Sequence, residues 1–153
     1  MLYCGRAKMM SNSRILVLGA TGYVGSRLVY RLLEQGYTVR AVGRSKDKLE
    51  KCRWPRGRRL ELVEADVLLR DSLSEAAKNC DAAYYLVHSM HTGKRFEKLD
   101  REAAKNMAIA SKEEGLQRII YLGGLGTEKK KLSRHCVMNS PLQSQSVTAR
   151  RSI

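Results

Sequence analysis

The sequence predicts an α/β fold in which helices cover both faces of a parallel sheet, and two observations support this prediction. Short apolar segments typical of strands alternate with longer amphipathic segments typical of helices along most of the chain. This alternation favours right-handed crossovers and a doubly wound parallel sheet of about five strands, in the order 3-2-1-4-5. In addition, the first apolar run, 15–18, suits a strand buried on both faces and leads directly into a glycine-rich turn.

The elements are bounded by turn residues and by changes of apolar period. We expect strands at 14–19, 38–42, 60–65, 82–87 and 118–122, and helices near 23–35, 45–51, 72–79 and 95–114. The first helix has one apolar face, because Val24, Leu28 and Leu32 recur every four residues, and Gly36 suits the position that ends it.

The third and fourth helices carry signals of their own. Ser72 and Glu75 match the capping box, in which a Ser and a Glu three positions apart satisfy free N–H groups, so the third helix is expected to begin near Ser72. The fourth helix has an apolar stripe opposed by charged residues, and Gly115 ends it. The stripe consists of Phe96, Leu99, Ala103, Met107 and Ala110.

The glycines after the first strand have the spacing of a dinucleotide-binding turn. Gly19 allows a sharp turn off the strand, and Gly22 leaves space for a phosphate beside the backbone. Gly25 allows the helix to pack closely on the strand, and the helix N-terminus attracts a pyrophosphate through free N–H groups and a partial positive charge. A purely structural glycine turn in another α/β protein is the alternative that stays open.

Size and charge favour one domain with anionic partners. The chain has 153 residues, so we assign the α/β domain to 14–126, an N-terminal extension to 1–13 and a basic, poorly ordered tail to 127–153. The formal net charge of +14 favours polyanionic partners, which are nucleic acid, an anionic membrane or a phosphorylated cofactor.

Cysteine usage and hydropathy exclude several classes of protein. The four cysteines form no Cys-x-x-Cys pair, so no metal site is expected. The chain is not disulfide-dense, which makes the cytoplasm the expected location. The first 14 residues lack an apolar core segment, and no apolar run approaches the roughly 18 residues that cross a bilayer, so we expect neither a signal peptide nor a membrane span.

The end of the second strand predicts which dinucleotide is bound. An acidic residue at this place typically binds the ribose 2′-hydroxyl of NAD, but here the strand ends at Arg40 to Val42 and is followed by Gly43 and Arg44. An arginine attracts a 2′-phosphate, so Arg44, supported by Arg40, predicts that NADP is preferred and NAD is the second choice. The alternative is that Arg44 is a solvated arginine at the start of a loop.

Other strand ends supply further candidates. Asp66 follows the third strand and either faces the adenine side of a cofactor groove or caps a helix or loop. His88 and Ser89 follow the fourth strand, near the expected nicotinamide half, and are either acid–base groups or polar residues bonded to the backbone. The glycines at 123, 124 and 126 either admit the nicotinamide ribose or form a flexible loop.

A basic run at 53–59 contains Trp54. Basic residues interleaved with an aromatic residue are typical of a nucleic-acid patch, whereas a solvated loop is the commoner outcome for such a run. Nucleic acid is therefore not our expected partner.

Together these residues resemble a known family. The segments 19–25, 85–89 and 121–126, with Arg44 and Asp66, are similar to atypical short-chain dehydrogenases, above all to the NmrA-like NAD(P)-binding proteins. The resemblance implies a Rossmann fold with NADP on the glycine turn, Arg44 near the 2′-phosphate and Asp66 near the adenine. The cofactor-binding residues that we predict are Gly19, Thr21, Gly22, Tyr23, Val24, Gly25, Arg44, Asp66, Val67, Leu86 and Val87.

The chain departs from the family pattern in two ways. No tyrosine is followed four residues later by lysine, the catalytic pair of the wider superfamily, and related chains continue beyond the fifth strand with a substrate-binding part. The resemblance implies an oxidoreductase-like protein that transfers a hydride between NADP(H) and a small organic substrate, if it is complete. A non-catalytic dinucleotide sensor or assembly factor, and a truncated or frame-shifted fragment, are the alternatives. In such a fragment the fifth strand is an uncovered edge through which the chain self-associates.

Overall fold

The predicted alternation of strands and helices is confirmed by the structure, a computed structural model that describes residues 13–87 and 96–122. The strands are β1 (Arg14–Leu18), β2 (Thr38–Gly43), β3 (Leu60–Glu64), β4 (Ala82–Tyr85) and β5 (Arg118–Tyr121). The helices are α1 (Tyr23–Glu34), α2 (Lys46–Glu50), α3 (Arg70–Ala77) and α4 (Phe96–Glu113). Nearly all of the predicted extension at 1–13, and all of the predicted tail at 127–153, lie outside the described residues.

The strands form one parallel sheet in the predicted order, β3-β2-β1-β4-β5. Leu18, the last residue of β1, is level with Val42 of β2 and with Tyr85 of β4. Gly43, at the end of β2, is level with Glu64 of β3. The segments that follow β1, β2, β3 and β4 therefore begin at the same edge of the sheet, where open α/β sheets bind their ligands.

Helices pack on both faces of the sheet and bury an apolar layer on each. Ile15 and Val17 belong to the layer under α1 and α2, and Leu16 and Leu18 belong to the layer under α3 and α4. All four side chains are at most 2% exposed. Because successive side chains of a strand lie on opposite faces, a central strand buried on both needs the uninterrupted apolar run seen in the sequence.

The predicted start of the third helix near Ser72 is wrong by two residues, since α3 begins at Arg70 with Leu69 as its N-cap and no side-chain cap. The Ser72 hydroxyl instead accepts a hydrogen bond from the Asp66 N–H at 3.2 Å. Asp66 forms the turn before the helix: its Oδ1 accepts from the Leu68 N–H at 2.9 Å, and its carbonyl accepts from the Leu69 N–H at 3.0 Å. Ser72 therefore links α3 to the segment directly after β3 through this hydrogen bond.

Candidate functional site

The glycine turn links the end of β1 to α1 and is held against β2. Gly19 has a positive φ of 81°, a conformation that glycine adopts without steric cost. The Gly19 and Ala20 N–H groups both donate to the Val42 carbonyl, at 3.2 and 3.1 Å. The Gly22 N–H donates to the Gly19 carbonyl at 3.1 Å. The turn is thereby fastened to the ligand-binding edge of the sheet.

The first turn of α1 offers unpaired donors at this edge. Gly22 is the N-cap residue and makes no side-chain cap, and the first bond within the helix runs from the Ser26 N–H to the Gly22 carbonyl at 2.8 Å. Within 13–87 and 96–122, the N–H groups of Tyr23, Val24 and Gly25 have no acceptor. Such donors, together with the positive end of the helix dipole, form a site for a phosphate.

Gly25 and Gly22 differ in how much space the turn leaves for a side chain. A Cβ on Gly25 would lie 2.2 Å from the Gly19 carbonyl oxygen, so the close packing of the helix on the turn after β1 needs glycine there. A Cβ on Gly22 would meet its nearest atom, the same oxygen, at 3.3 Å, which is tight but close to an ordinary contact. Packing among the described residues therefore explains why residue 25 has no side chain, but it gives little reason for the absence of one at residue 22.

The apolar residues after β4 lie against the glycine turn. The Leu86 N–H donates to the Leu18 carbonyl at 3.1 Å. A Cβ on Gly19 would lie 3.0 Å from the Leu86 carbonyl oxygen and 3.4 Å from Cγ2 of Val87. The structure thus brings two of the predicted site residues beside Gly19. The candidates that follow them, His88 and Ser89, lie outside the described residues, as do the glycines at 123, 124 and 126.

The two arginines of the second strand have different surroundings. Arg44 is exposed at the end of β2, and its side chain has no hydrogen bond or ion pair with any described residue. Arg40 is 13% exposed and donates through Nε to Glu61 at 2.7 Å. Its Nη1 also donates to the Ala76 and Lys78 carbonyls, both at 2.8 Å.

The prediction that Arg40 supports Arg44 in binding a 2′-phosphate is therefore wrong. Arg40 is level with Glu61 of β3, and the carbonyls at the end of α3 attract its positive charge. The Arg40 guanidinium thus forms hydrogen bonds within the folded chain and is not available to a phosphate.

An acidic residue that the sequence analysis missed stands near Arg44. Glu64 ends β3 level with Gly43, and its Oε2 accepts a hydrogen bond from the Lys46 N–H at 2.9 Å. A carboxylate from β3 thus lies close to the loop after β2, although β2 itself ends without one. The sequence shows that Glu64 lies at the end of a strand. This position indicates a residue near the loop after β2 only when β3 is known to pair with β2.

The residues after β3 form an ordered turn on the other side of the site. Asp66 is half-buried, and its carboxylate uses Oδ1 for the Leu68 N–H. Val67 is 9% exposed, and Asn106 of α4 donates to the Val67 and Leu68 carbonyls at 3.1 and 3.0 Å. The hydrogen bond of Asp66 within this turn supports the interpretation that Asp66 stabilises a loop. A contact between its other carboxylate oxygen and the adenine stays a prediction.

Trp54 is buried instead of being exposed for stacking on bases. It is 5% exposed, and its indole N–H donates to the Ser26 carbonyl of α1 at 2.9 Å. A cavity of about 400 Å³ lies between the loop that carries Trp54 and the glycine turn. Its walls are formed by Thr21, Gly22, Tyr23, Ser26, Arg27, Tyr30, Arg53 and Trp54. Trp54 is therefore not available to stack on the bases of a nucleic acid, as an aromatic residue in a nucleic-acid patch does.

A family model described as NAD(P)H-binding matches residues 19–150 of the chain. The chain belongs to this NAD(P)H-binding family. Its ligand is therefore a nicotinamide dinucleotide, and the predicted NAD(P)-binding Rossmann part is confirmed.

The relatives of this NAD(P)H-binding chain include two curated plant reductases. Cinnamoyl-CoA reductase 1 from Petunia hybrida is 32% identical over 130 residues, which cover 78% of this chain and 37% of that protein. Dihydroflavonol 4-reductase from Gerbera hybrida is 36% identical over 115 residues, which cover 72% of this chain and 30% of that protein. The chain thus spans about a third of the length of these relatives.

Solved structures share the fold. Triphenylmethane reductase from Citrobacter sp. superposes with a TM-score of 0.72 at 18% identity, covering 90% of this chain and 45% of that one. Uronate dehydrogenase from Agrobacterium tumefaciens superposes with a TM-score of 0.60 at 24% identity, covering 75% of this chain and 42% of that one. At such identities the likeness concerns the fold.

The residues at the sheet edge fit the pyrophosphate of a dinucleotide. Three N–H groups of α1 lack acceptors among the described residues, and Gly22 presents no side chain in front of them. Among the described residues, no group of three or more His, Cys, Asp and Glu could hold a metal ion. Among the helices in 13–87 and 96–122, none has the length and apolar character to cross a membrane.

Two tyrosines stand at the carboxyl ends of β4 and β5. The rings of Tyr85 and Tyr121 are 5.9 Å apart between centroids. Burial raises the pKa of Tyr85 well above its ordinary value and raises the pKa of Tyr121 to about 12, and the negative charge of Asp100 adds to both shifts. Both phenols are therefore protonated at neutral pH.

Proposed function

We propose that this NAD(P)H-binding chain prefers NADPH to NADH and is part of a reductase that acts on a small organic substrate. The glycine turn carries the proposal. Packing among the described residues leaves almost enough room for a Cβ on Gly22, 3.3 Å from its nearest atom. A phosphate bound beside the unpaired N–H groups of α1 supplies the reason for glycine that packing does not.

The preference for NADPH rests on Arg44. Its exposed guanidinium has no partner among the described residues, so it is free to form two hydrogen bonds with a 2′-phosphate. Glu64 opposes this preference, because its carboxylate adds negative charge next to the loop. Since Glu64 is already bonded to the Lys46 N–H while Arg44 is unpaired, we expect attraction to exceed repulsion.

Asp66 is proposed to bind the adenine. Oδ1 of its carboxylate is used by the turn, and within the described residues the other oxygen has no hydrogen-bond partner. That oxygen is available to accept a hydrogen bond from the adenine amino group.

The proposed chemistry is the reduction of a carbonyl or alkene. When bound, NADPH supplies the hydride. Leu86 and Val87 of this chain lie against Gly19 and would exclude water from the nicotinamide side. His88 and Ser89 follow directly in the sequence, and we propose them as candidate acid–base groups. The names of the two plant relatives, both reductases, support this class of reaction.

Fluorescence titration of the full chain with NADPH and NADH tests the binding proposal. NADPH is expected to bind more tightly, and Arg44→Ala is expected to weaken NADPH binding about ten- to a hundredfold, because one charge-assisted hydrogen bond contributes roughly 1.5–3 kcal/mol. Arg118→Ala is the matched control, since Arg118 is also exposed but lies at the opposite edge of the sheet. Equal affinity of the wild-type chain for the two dinucleotides would refute the preference.

The glycine turn and the reaction need separate measurements. Gly22→Val is expected to abolish binding, whereas Gly57→Val, at a position where a Cβ meets nothing within 4 Å, is expected to leave it unchanged. Turnover is then measured by NADPH oxidation with a panel of carbonyl and alkene compounds. Binding without oxidation across the panel would indicate a dinucleotide sensor instead of a reductase.

A further inference from the structure

The cavity beside α1, which we call the Trp54 cavity, is built by the loop that joins α2 to β3. Trp54 anchors this loop on α1 through its buried ring and through the 2.9 Å bond from its indole N–H to the Ser26 carbonyl. The anchor places the neighbouring Arg53 in the wall of the cavity, together with Thr21 and Gly22 of the glycine turn. At about 400 Å³, the cavity has the size of a small-molecule pocket.

The described residues that line the Trp54 cavity carry positive charge. They include Arg27 and Arg53 and no Asp or Glu. The guanidinium of Arg27 stacks on the ring of Tyr23, 3.7 Å from its centroid, and both residues line the cavity. Arg53 is exposed and has no hydrogen bond or ion pair with the described residues. Two cations, with no acidic residue among the described residues of the lining, favour an anionic ligand.

Its position ties the Trp54 cavity to the cofactor edge. Thr21 lines the cavity, and its Cγ2 would lie 3.4 Å from a Cβ on Gly43, the residue directly before Arg44. Thr21 thus lines the cavity and also lies beside the end of β2. Gly22, the N-cap of α1, is shared between the cavity and the unpaired N–H groups.

We propose that the Trp54 cavity is a phosphate-monoester site in which Arg53, together with Arg44, binds the 2′-phosphate of NADPH. This inference rests on the proposed preference for NADPH. A phosphate dianion placed between two arginines forms charge-assisted bonds to both. Arg27, stacked on Tyr23 in the lining of the cavity, adds a third positive charge.

The test compares Arg53→Ala with Arg58→Ala in the full chain. Both arginines are exposed in the same loop, but Arg58 does not line the cavity, so it controls for the loss of one charge. The probes are NADPH, NADH, 2′,5′-ADP and inorganic phosphate. Arg53→Ala is expected to weaken NADPH and 2′,5′-ADP about tenfold and to leave NADH within twofold, whereas Arg58→Ala leaves all of them within twofold.

The outcomes separate the inference from the proposed function. If the wild-type chain prefers NADPH and Arg44→Ala removes the preference, but Arg53→Ala behaves as Arg58→Ala does, the inference fails alone. If Arg53→Ala weakens NADPH and NADH equally, Arg53 serves the pyrophosphate and the inference is also wrong. If inorganic phosphate binds through Arg53 without competing with 2′,5′-ADP, the cavity holds a separate phosphate and the 2′-phosphate assignment is overturned. A wild-type chain without preference for NADPH overturns both proposals.

Discussion

Replacement of Gly25 by alanine is expected to destabilise the folded chain more than the same replacement of Gly22, although both glycines belong to one turn. A Cβ on Gly25 would lie 2.2 Å from the Gly19 carbonyl oxygen and 2.9 Å from Cα of Ala20, whereas real Cβ contacts are essentially never shorter than 3.0 Å. Both neighbours are backbone atoms, so no side-chain rotation relieves the contact. Gly25 and the Gly19 carbonyl of the turn must separate by at least 0.8 Å, the difference between 3.0 and 2.2 Å.

The size of the effect follows from two opposing contributions. Forcing an extra methyl group into a packed interior costs about 1–3 kcal/mol, and contact with rigid backbone belongs at the upper end of that range. Alanine inside a helix is more favourable than glycine by about 1 kcal/mol, which offsets part of the cost. A net loss of about 2 kcal/mol in the free energy of unfolding is therefore expected for Gly25→Ala. Gly22→Ala, with its nearest atom at 3.3 Å, is expected to lose under about 1 kcal/mol through its N-cap position.

Urea unfolding of the full chain, followed by circular dichroism, measures these differences. Gly57→Ala serves as the control, since a Cβ there meets nothing within 4 Å. Unchanged slopes of the transitions would show that the three variants unfold from similar states. If Gly25→Ala proved as stable as Gly22→Ala, the helix would not press on the turn as the distances require, and the argument would be refuted.

Three further predictions use other parts of the molecule. Arg40→Ala is expected to lower the free energy of unfolding by about 1–3 kcal/mol in urea unfolding, because it removes bonds to Glu61 and to two carbonyls; a loss no larger than that of Arg44→Ala would contradict this. Glu64→Gln is expected to tighten NADPH binding about two- to fivefold in a titration, without changing NADH binding, because a nearby negative charge is lost while the amide oxygen still accepts the Lys46 N–H; an unchanged ratio of affinities would show that Glu64 does not act on the phosphate. Burial raises the pKa of Cys80 from 9.0 to about 11, so the folded chain keeps a proton that the unfolded chain loses; the free energy of unfolding should fall as the pH rises from about 9 to about 11, and Cys80→Ala should reduce that fall.

Local signals in the sequence predicted the order of the elements and the structural roles of Gly19 and Gly25. An apolar run at 15–18 needs burial on both faces, and a glycine triplet next to it leaves few ways to continue the chain. The parallel sheet in the order β3-β2-β1-β4-β5 follows from that alternation, because right-handed crossovers allow few other arrangements. These features depend on neighbours along the chain.

Contacts between distant residues were decided by the tertiary structure. Arg40 looks like a partner of Arg44 in the sequence, but the strand register places it beside Glu61, 21 residues away. Glu64 reaches the loop after β2 because β3 pairs with that strand. Trp54 stands in a basic run and yet is buried, because its indole N–H finds the Ser26 carbonyl 28 residues earlier. Charge and aromatic character are local properties, whereas burial and pairing depend on which surfaces the fold brings together, so only the folded chain shows which arginines remain free to bind a ligand.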